Sequence, residues 1–349
     1  MPTMQHSLEV MLAEGREAGA FPAAAAAIGV HDNVLARAFI GGAPLPEDAP
    51  VDAHTKFDMA SLSKVLGPTM IVLRAMEDGA LTLDETIGDF FPSAPQDKLG
   101  ITVRQLMTHT GGFNPSFRLD QLCQSPDEVL DCILRYPLDN APGLAPSYSC
   151  MGFITLAKML EQRFGESLSE LARKRVFEPL GMTGTGYCPF SGVCAATEVD
   201  PATGRPWIGV VHDENARYQG GVSGNAGVFM PLCDGEKFAA MLAQMGGGYL
   251  RRETLEMAIR NYTPGFDEHR GLGFHLAGTA YNFMSDKVPD HCFGHTGFTG
   301  TSLMVEPDTG FWVLLLTNRV YPTRASSALF PFRRKLHGTC WTLYQEGVK

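Results

Sequence analysis

The chain of 349 residues is sparing with charge: 19% of it is Asp, Glu, Lys or Arg, and no basic run occurs anywhere. Its 28 Lys and Arg against 38 Asp and Glu leave a formal net charge of −10. A surface of that sign repels phosphate backbones and anionic lipid, so nucleic acid and membrane are excluded as expected partners and a small-molecule substrate is the expectation. Long apolar runs are also missing. The most apolar early stretch, Ala18 to Val30, is mainly alanine, contains Pro22 and follows Glu14, Arg16 and Glu17. It reads as neither a signal peptide nor a membrane span. The eight cysteines (Cys123, Cys132, Cys150, Cys188, Cys194, Cys233, Cys292 and Cys340) include no C-x-x-C pair, and the ten histidines never form H-E-x-x-H. Neither a metal nor any other cofactor is expected. With no export signal legible, reduced thiols and a cytoplasmic location are the expectation. What is abundant is apolar residue, 44% of the chain, a composition that folds.

A chain of this length suggests two lobes. After a helical opening, Ala23 to Val30 and Val34 to Ile40 flank His31-Asp32-Asn33 and predict a strand hairpin. From Ser61, apolar residues at Leu62, Val65, Leu66, Met70, Leu73 and Met76 form a helical stripe ended by Gly79, with Pro68 predicting a kink or a tight first turn. Helical periodicity continues from Leu81 to about Asp200. Short apolar runs then return at Gly271 to Leu276, Thr301 to Val305 and Phe311 to Thr317, followed by an amphipathic helix over Ala325 to Tyr344. Strands at both ends with helices between predict an α+β architecture: an antiparallel sheet domain from residues 1–78 and 205–349, with residues 79–204 as an inserted helical lobe.

Ser61-Leu62-Ser63-Lys64 is the one S-x-x-K tetrad in the sequence. About one is expected by chance in a chain this long, so its weight comes from its place at the start of a periodic helix. Ser and Lys three apart share a helix face, and a helix N-terminus favours negative charge developing beside Ser61. Tyr148-Ser149-Cys150 follows Pro142-Gly143 and opens a second periodic helix. Gly294-His295-Thr296-Gly297 precedes the strand expected near Thr301. A second triplet, His109-Thr110-Gly111, ends a short helical run, and its position marks it as a decoy.

The ordered set Ser61-x-x-Lys64, Tyr148-x-Cys150 and His295-Thr296-Gly297 resembles the serine beta-lactamase and penicillin-binding protein superfamily. The branch it is most similar to is the class C beta-lactamases with their esterase and D-aminopeptidase relatives. Phe57 to Ser61, Leu81 to Asp84, Ile101 to Gly112 and Phe177 to Met182 also look like that family's framework. The resemblance spans about Phe21 to Asn318 and implies the beta-lactamase/transpeptidase-like fold with Ser61 as the nucleophile. Lys64 and Tyr148 would form one coupled proton-transfer pair, and the oxyanion hole would use the backbone amides of Ser61 and Phe298. A lysine acting as base must fall from about 10.4 toward 7, a shift of about three units that burial and the helix N-terminus can supply between them, and the base is assigned to neither Lys64 nor Tyr148 alone.

Where the sequence departs from that pattern, it speaks about substrate. The family's third motif is usually Lys-Thr-Gly, which helps hold a substrate carboxylate; here His295 stands first, with Thr296 and Gly297 retained. A largely neutral imidazole replaces a fixed cation. Cys150 stands where the family has an asparagine that touches the lysine and the substrate's acylamino group, and a thiol is a weak hydrogen-bond partner. The expected activity is therefore carboxylesterase-like, on esters or on amides lacking that carboxylate. D-stereospecific aminopeptidase, amidase or weak beta-lactamase activity is the enzymatic alternative, and a catalytically silent acyl- or peptide-binding relative the non-enzymatic one. Gly221-Val222-Ser223-Gly224-Asn225 fails the G-x-S-x-G elbow at Asn225. Cys150 reads as an inert buried thiol, and His212 and Asp213 as either cleft-lining or structural.

Overall fold

The run Ala24–Val30 reads apolar at every position because both of its faces are covered. In the computed structural model, which describes residues 3–115, 118–188, 193–279 and 282–347, it is strand β1. β1 pairs with β2 (Asn33–Ile40) on one edge and β9 (Phe311–Thr317) on the other. With β6 (His275–Leu276), β7 (Phe293–Thr296) and β8 (Ser302–Glu306) these form a six-stranded antiparallel sheet in the order β2-β1-β9-β8-β7-β6. Ala25, Ala27, Leu314 and Leu316 face the main core, against helices Met70–Glu77 and Leu232–Ala243. Ala24, Ala26, Val313 and Leu315 face the terminal helices Met4–Glu17 and Leu329–Gln345. The pleat sends successive side chains to opposite sides, so a sheet sandwiched by helices shows no polar alternation.

Three further strands, β3 (Lys56–Asp58), β4 (Gly186–Tyr187) and β5 (Val228–Pro231), form a small sheet in the order β3-β5-β4. β4 interrupts the span that reads as continuously helical in the sequence. The predicted β8–β9 hairpin is present, and the Glu306 carboxylate organises its turn by accepting from the backbone amides of Asp308 and Thr309 at 2.9 Å each. Gly271 to Leu276 is strand only in its last two residues, because Gly273 turns the chain at φ +79°. All eight cysteines are unpaired, and among the described residues no helix is long and apolar enough to cross a membrane.

The stripe beginning at Ser61 is not one helix. It opens as a 3-10 turn, Ala60–Leu62, is α-helical at Ser63 and Lys64, widens to a π-helix over Val65–Thr69 and returns to α-helix from Met70. Pro68 has no amide to offer the i−4 carbonyl, and the wider turn absorbs that loss. Ser61 thus sits on a tighter turn than the helix that anchors it.

Candidate active site

Ser61 is held by a loop pinned from below. Asp58 is buried, and its carboxylate accepts from the amides of Ala60 at 2.8 Å and His212 at 2.7 Å. Ala60 adopts φ +45°, a left-handed conformation that costs a non-glycine residue about 1 kcal/mol. Burial outweighs those two hydrogen bonds and pushes the Asp58 carboxyl up to about 6. The loop after β7 is stitched to the same turn: Thr299 Oγ1 donates to the Asp58 carbonyl at 2.6 Å and Thr301 Oγ1 to the Met59 carbonyl at 3.1 Å. Gly297 lies so close that a Cβ there would come within 2.3 Å of the Met59 oxygen. This contact brings the backbone before Phe298 against the turn that carries Ser61, as an oxyanion hole built from those two residues requires.

Lys64 is fully buried. Its ammonium donates to Ser61 Oγ at 3.1 Å, to the Asn225 carbonyl at 3.1 Å and to Cys150 Sγ at 3.5 Å, three acceptors for three N–H groups. It also stands 4.9 Å from the centre of the Tyr148 ring. Burial pulls its pKa down, but Cys150 and Tyr148 more than offset that and hold it above the ordinary lysine value. The fall toward 7 that a lysine base requires does not occur. The same burial raises the Cys150 thiol despite the neighbouring ammonium, so Cys150 is a protonated packing group rather than a thiolate.

Tyr148 immediately precedes helix Cys150–Phe164, whose N-cap is Ser149: its Oγ accepts from Met151 N at 3.1 Å and donates to the Asn114 carbonyl at 2.9 Å. The ring rests on His109, 4.4 Å between centroids, and His109 Nδ1 accepts from the Ser149 amide at 3.2 Å. The triplet whose position suggests a decoy therefore supports the tyrosine, and at φ +57° it is itself conformationally forced. Its distance in sequence from Tyr148 conceals this.

His295 lies just ahead of β8, as expected, and its segment is itself a short strand, β7, because β6 and β8 both pair with it. Its Nδ1 donates to the Thr296 carbonyl at 2.8 Å, leaving Nε2 buried without a partner. Burial, with Lys64 and Arg270 nearby, holds the imidazole neutral, well below its usual pKa. His212 and Asp213 take structural places. The His212 ring bonds Glu198 at 3.0 Å and stacks on Phe298, while Asp213 caps helix Glu214–Tyr218 and accepts from Asn225 Nδ2 at 3.0 Å.

Ser61, Tyr148, His295, Thr296, Gly297 and Phe298 line one cleft of about 340 Å³, with Lys64 and Cys150 beneath it. The structure thus brings together every residue singled out for the site. Sequence reasoning missed Arg270, His275 and Arg333 on the same cleft, isolated residues in no motif, and Asn225, whose carbonyl holds Lys64.

Such a cleft, beside an antiparallel sheet flanked by helices, defines a beta-lactamase/transpeptidase-like protein. The chain belongs to the Beta-lactamase family, whose profile matches residues 8–337. A protein of Escherichia coli (strain K12), provisionally named a D-alanyl-D-alanine carboxypeptidase, is 28% identical over 325 residues, covering 81% of this chain and 74% of that protein. Among solved structures, EstCE1, a hydrolase with promiscuous acyltransferase activity, superposes with a TM-score of 0.76 at 20% identity, covering 95% of this chain and 99% of EstCE1. The octameric penicillin-binding protein homologue from Pyrococcus abyssi gives 0.75 at 20% identity, covering 98% of this chain and 77% of that one. At these identities both structures bear on the fold alone.

Proposed function

We propose that this protein is a serine hydrolase that cleaves small esters, and amides less well, through an acyl-enzyme on Ser61. The observation that carries the reading is the saturated Lys64 ammonium, which donates to Ser61 Oγ and leaves that hydroxyl's own proton free to move. A lysine whose three N–H groups are all donated has no lone pair with which to accept a proton, so that task falls to Tyr148, with Lys64 as the fixed cation of the pair. Ser61 Oγ attacks the acyl carbon as its proton passes to the phenolate form of Tyr148, which the neighbouring Lys64 ammonium stabilises. The amides of Ser61 and Phe298 face the oxyanion, and the leaving alcohol takes the proton back. Water then repeats the sequence to release the acid.

The ester preference rests on Cys150 and His295, a weak hydrogen-bond partner and a neutral ring where the family has an amide-gripping asparagine and a lysine. The name carried by the Escherichia coli relative supports peptidase or amidase chemistry as the second reading. Turnover of 4-nitrophenyl acyl esters, compared with D-alanyl amides at equal concentration, tests the ranking. Ester kcat/KM is expected to exceed amide, to vanish in Ser61→Ala, and to fall in Tyr148→Phe by about 10²–10⁴. An amide preference reverses the order, and ester turnover unchanged in Ser61→Ala overturns the reading.

A further inference from the structure

The loop between β7 and β8 is held from two directions. Thr299 and Thr301 tie it to the Ser61 turn, and elsewhere it rests on the chain that leaves β9. There Thr317 Oγ1 donates to the Thr299 carbonyl at 3.1 Å, and the Arg319 amide donates to the same carbonyl at 3.0 Å. The Arg319 side chain, 4% exposed, reaches further. Its Nε donates to the Phe298 carbonyl at 2.7 Å, and its guanidinium lies 4.4 Å from the centre of the Phe298 ring and 5.2 Å from that of Phe330. Its Nη1 donates to the carbonyls of Ser326 at 3.0 Å and Arg324 at 3.3 Å, just ahead of helix Leu329–Gln345. These three acceptors are all main-chain carbonyls, with no carboxylate among them.

A buried guanidinium that meets carbonyl dipoles is costly to desolvate, and an aliphatic side chain would fill the same space without that cost. What the aliphatic chain lacks is the rigid fork of donors that bridges three carbonyls at fixed angles. One of the three belongs to Phe298, the residue whose amide is read as an oxyanion donor. Peptide planes turn only about φ and ψ, so fixing the Phe298 carbonyl and its ring together leaves its amide little freedom to swing out of the cleft. We infer that Arg319 is a positioning residue for the oxyanion hole: by clamping the carbonyl and ring of Phe298, it aims the Phe298 amide at the oxygen that gains charge during acyl transfer. The cleft is lined by the side chains of Phe298 and Phe330 and not by Arg319, which therefore acts through Phe298 and not on substrate. The inference deepens the hydrolase reading above and rests on it. Losing one oxyanion donor lowers kcat by about 10²–10³, and a donor that is present but badly aimed loses a part of that.

Steady-state kinetics of the full chain with 4-nitrophenyl acetate, run well below the melting temperature of each variant, test the inference. Arg319→Met keeps the aliphatic stem and loses every donor, and its kcat is expected to fall by about tenfold or more while KM changes by less than about twofold. Acylation and deacylation both pass through the oxyanion, so both steps slow. Arg319→Lys keeps one donor for the Phe298 carbonyl and should recover part of the loss; it is also the variant to read where Arg319→Met does not fold. A residue that only supports the fold would shift the melting temperature without separating kcat from KM. Independently of turnover, hydrogen exchange is followed over the loop 297–301, whose Gly297 and Gly300 amides donate to the carbonyls of Thr301 at 2.8 Å and Gly297 at 3.0 Å. That exchange should quicken by about tenfold or more in either variant. Ser61-dependent turnover with kcat unchanged in a folded Arg319 variant overturns the positioning role and leaves the hydrolase reading intact. Unchanged loop exchange overturns the clamp whether or not turnover is seen. Quickened exchange with no Ser61-dependent turnover in the natural chain supports the clamp on Phe298 and overturns the hydrolase reading.

Discussion

At the scale of single residues, burial decides protonation more often than neighbouring charge does. Lys64 is the exception, because Cys150 and Tyr148 together outweigh its desolvation. Cys150 follows the rule, and its raised pKa makes a direct prediction: although Cys150 is partly exposed, iodoacetamide at pH 8 should leave it unmodified and activity intact. Peptide mapping reads the result, and rapid labelling of Cys150 with loss of activity would contradict it. Asp58 yields a pH signature. Its carboxyl titrates near 6 when folded against 3.8 as the reference, so between about pH 4 and pH 6 the folded chain holds a proton that the unfolded chain has released. Stability from this group is present below that window and is lost as pH rises through it, to a total of about 3 kcal/mol. Melting curves of Asp58→Asn should therefore lack part of the decline that the natural chain shows over those pH values, and parallel curves would rule the assignment out.

At the scale of elements, the site depends on two close approaches. The 3-10 turn at Ser61 is clamped between the Asp58 carboxylate and the loop that follows β7, and the strain at Ala60 persists because both clamps act on it. Gly297 is the residue that permits the second approach. Gly297→Ala places a methyl group within 2.3 Å of the Met59 oxygen and 2.2 Å of Thr301 Oγ1. It should destabilise the chain by about 1–3 kcal/mol and lower ester kcat by far more than the lost stability accounts for, as measured by thermal melting beside steady-state kinetics. A variant with unchanged kcat would mean that the loop does not set the oxyanion geometry. The π-turn at Pro68 belongs to the same scale: a proline within a helical stripe signals a disturbance in the sequence, but whether it kinks, tightens or widens the helix depends on what packs around it.

At the scale of the whole molecule, strands from both ends of the chain meet in one sheet, and the cleft forms where β7, the Ser61 turn and the start of helix Cys150–Phe164 converge. What was legible in the sequence shares one property, locality. Ser61 and Lys64 lie three residues apart, Tyr148 adjoins a helix cap, and His295-Thr296-Gly297 is contiguous, so each leaves a pattern in a short window. Arg270, Arg333, His109 and the Asn225 carbonyl leave none, because each matters only through a neighbour far away in the chain.

The central claim is that this cleft activates Ser61 as a nucleophile. Incubation of the folded protein with a fluorophosphonate, followed by intact-mass measurement and peptide mapping, tests it most directly. One adduct per chain on the peptide containing Ser61, absent from Ser61→Ala and strongly slowed in Tyr148→Phe, is the predicted result. A chain that stays unlabelled, or carries its adduct on another residue, would contradict it.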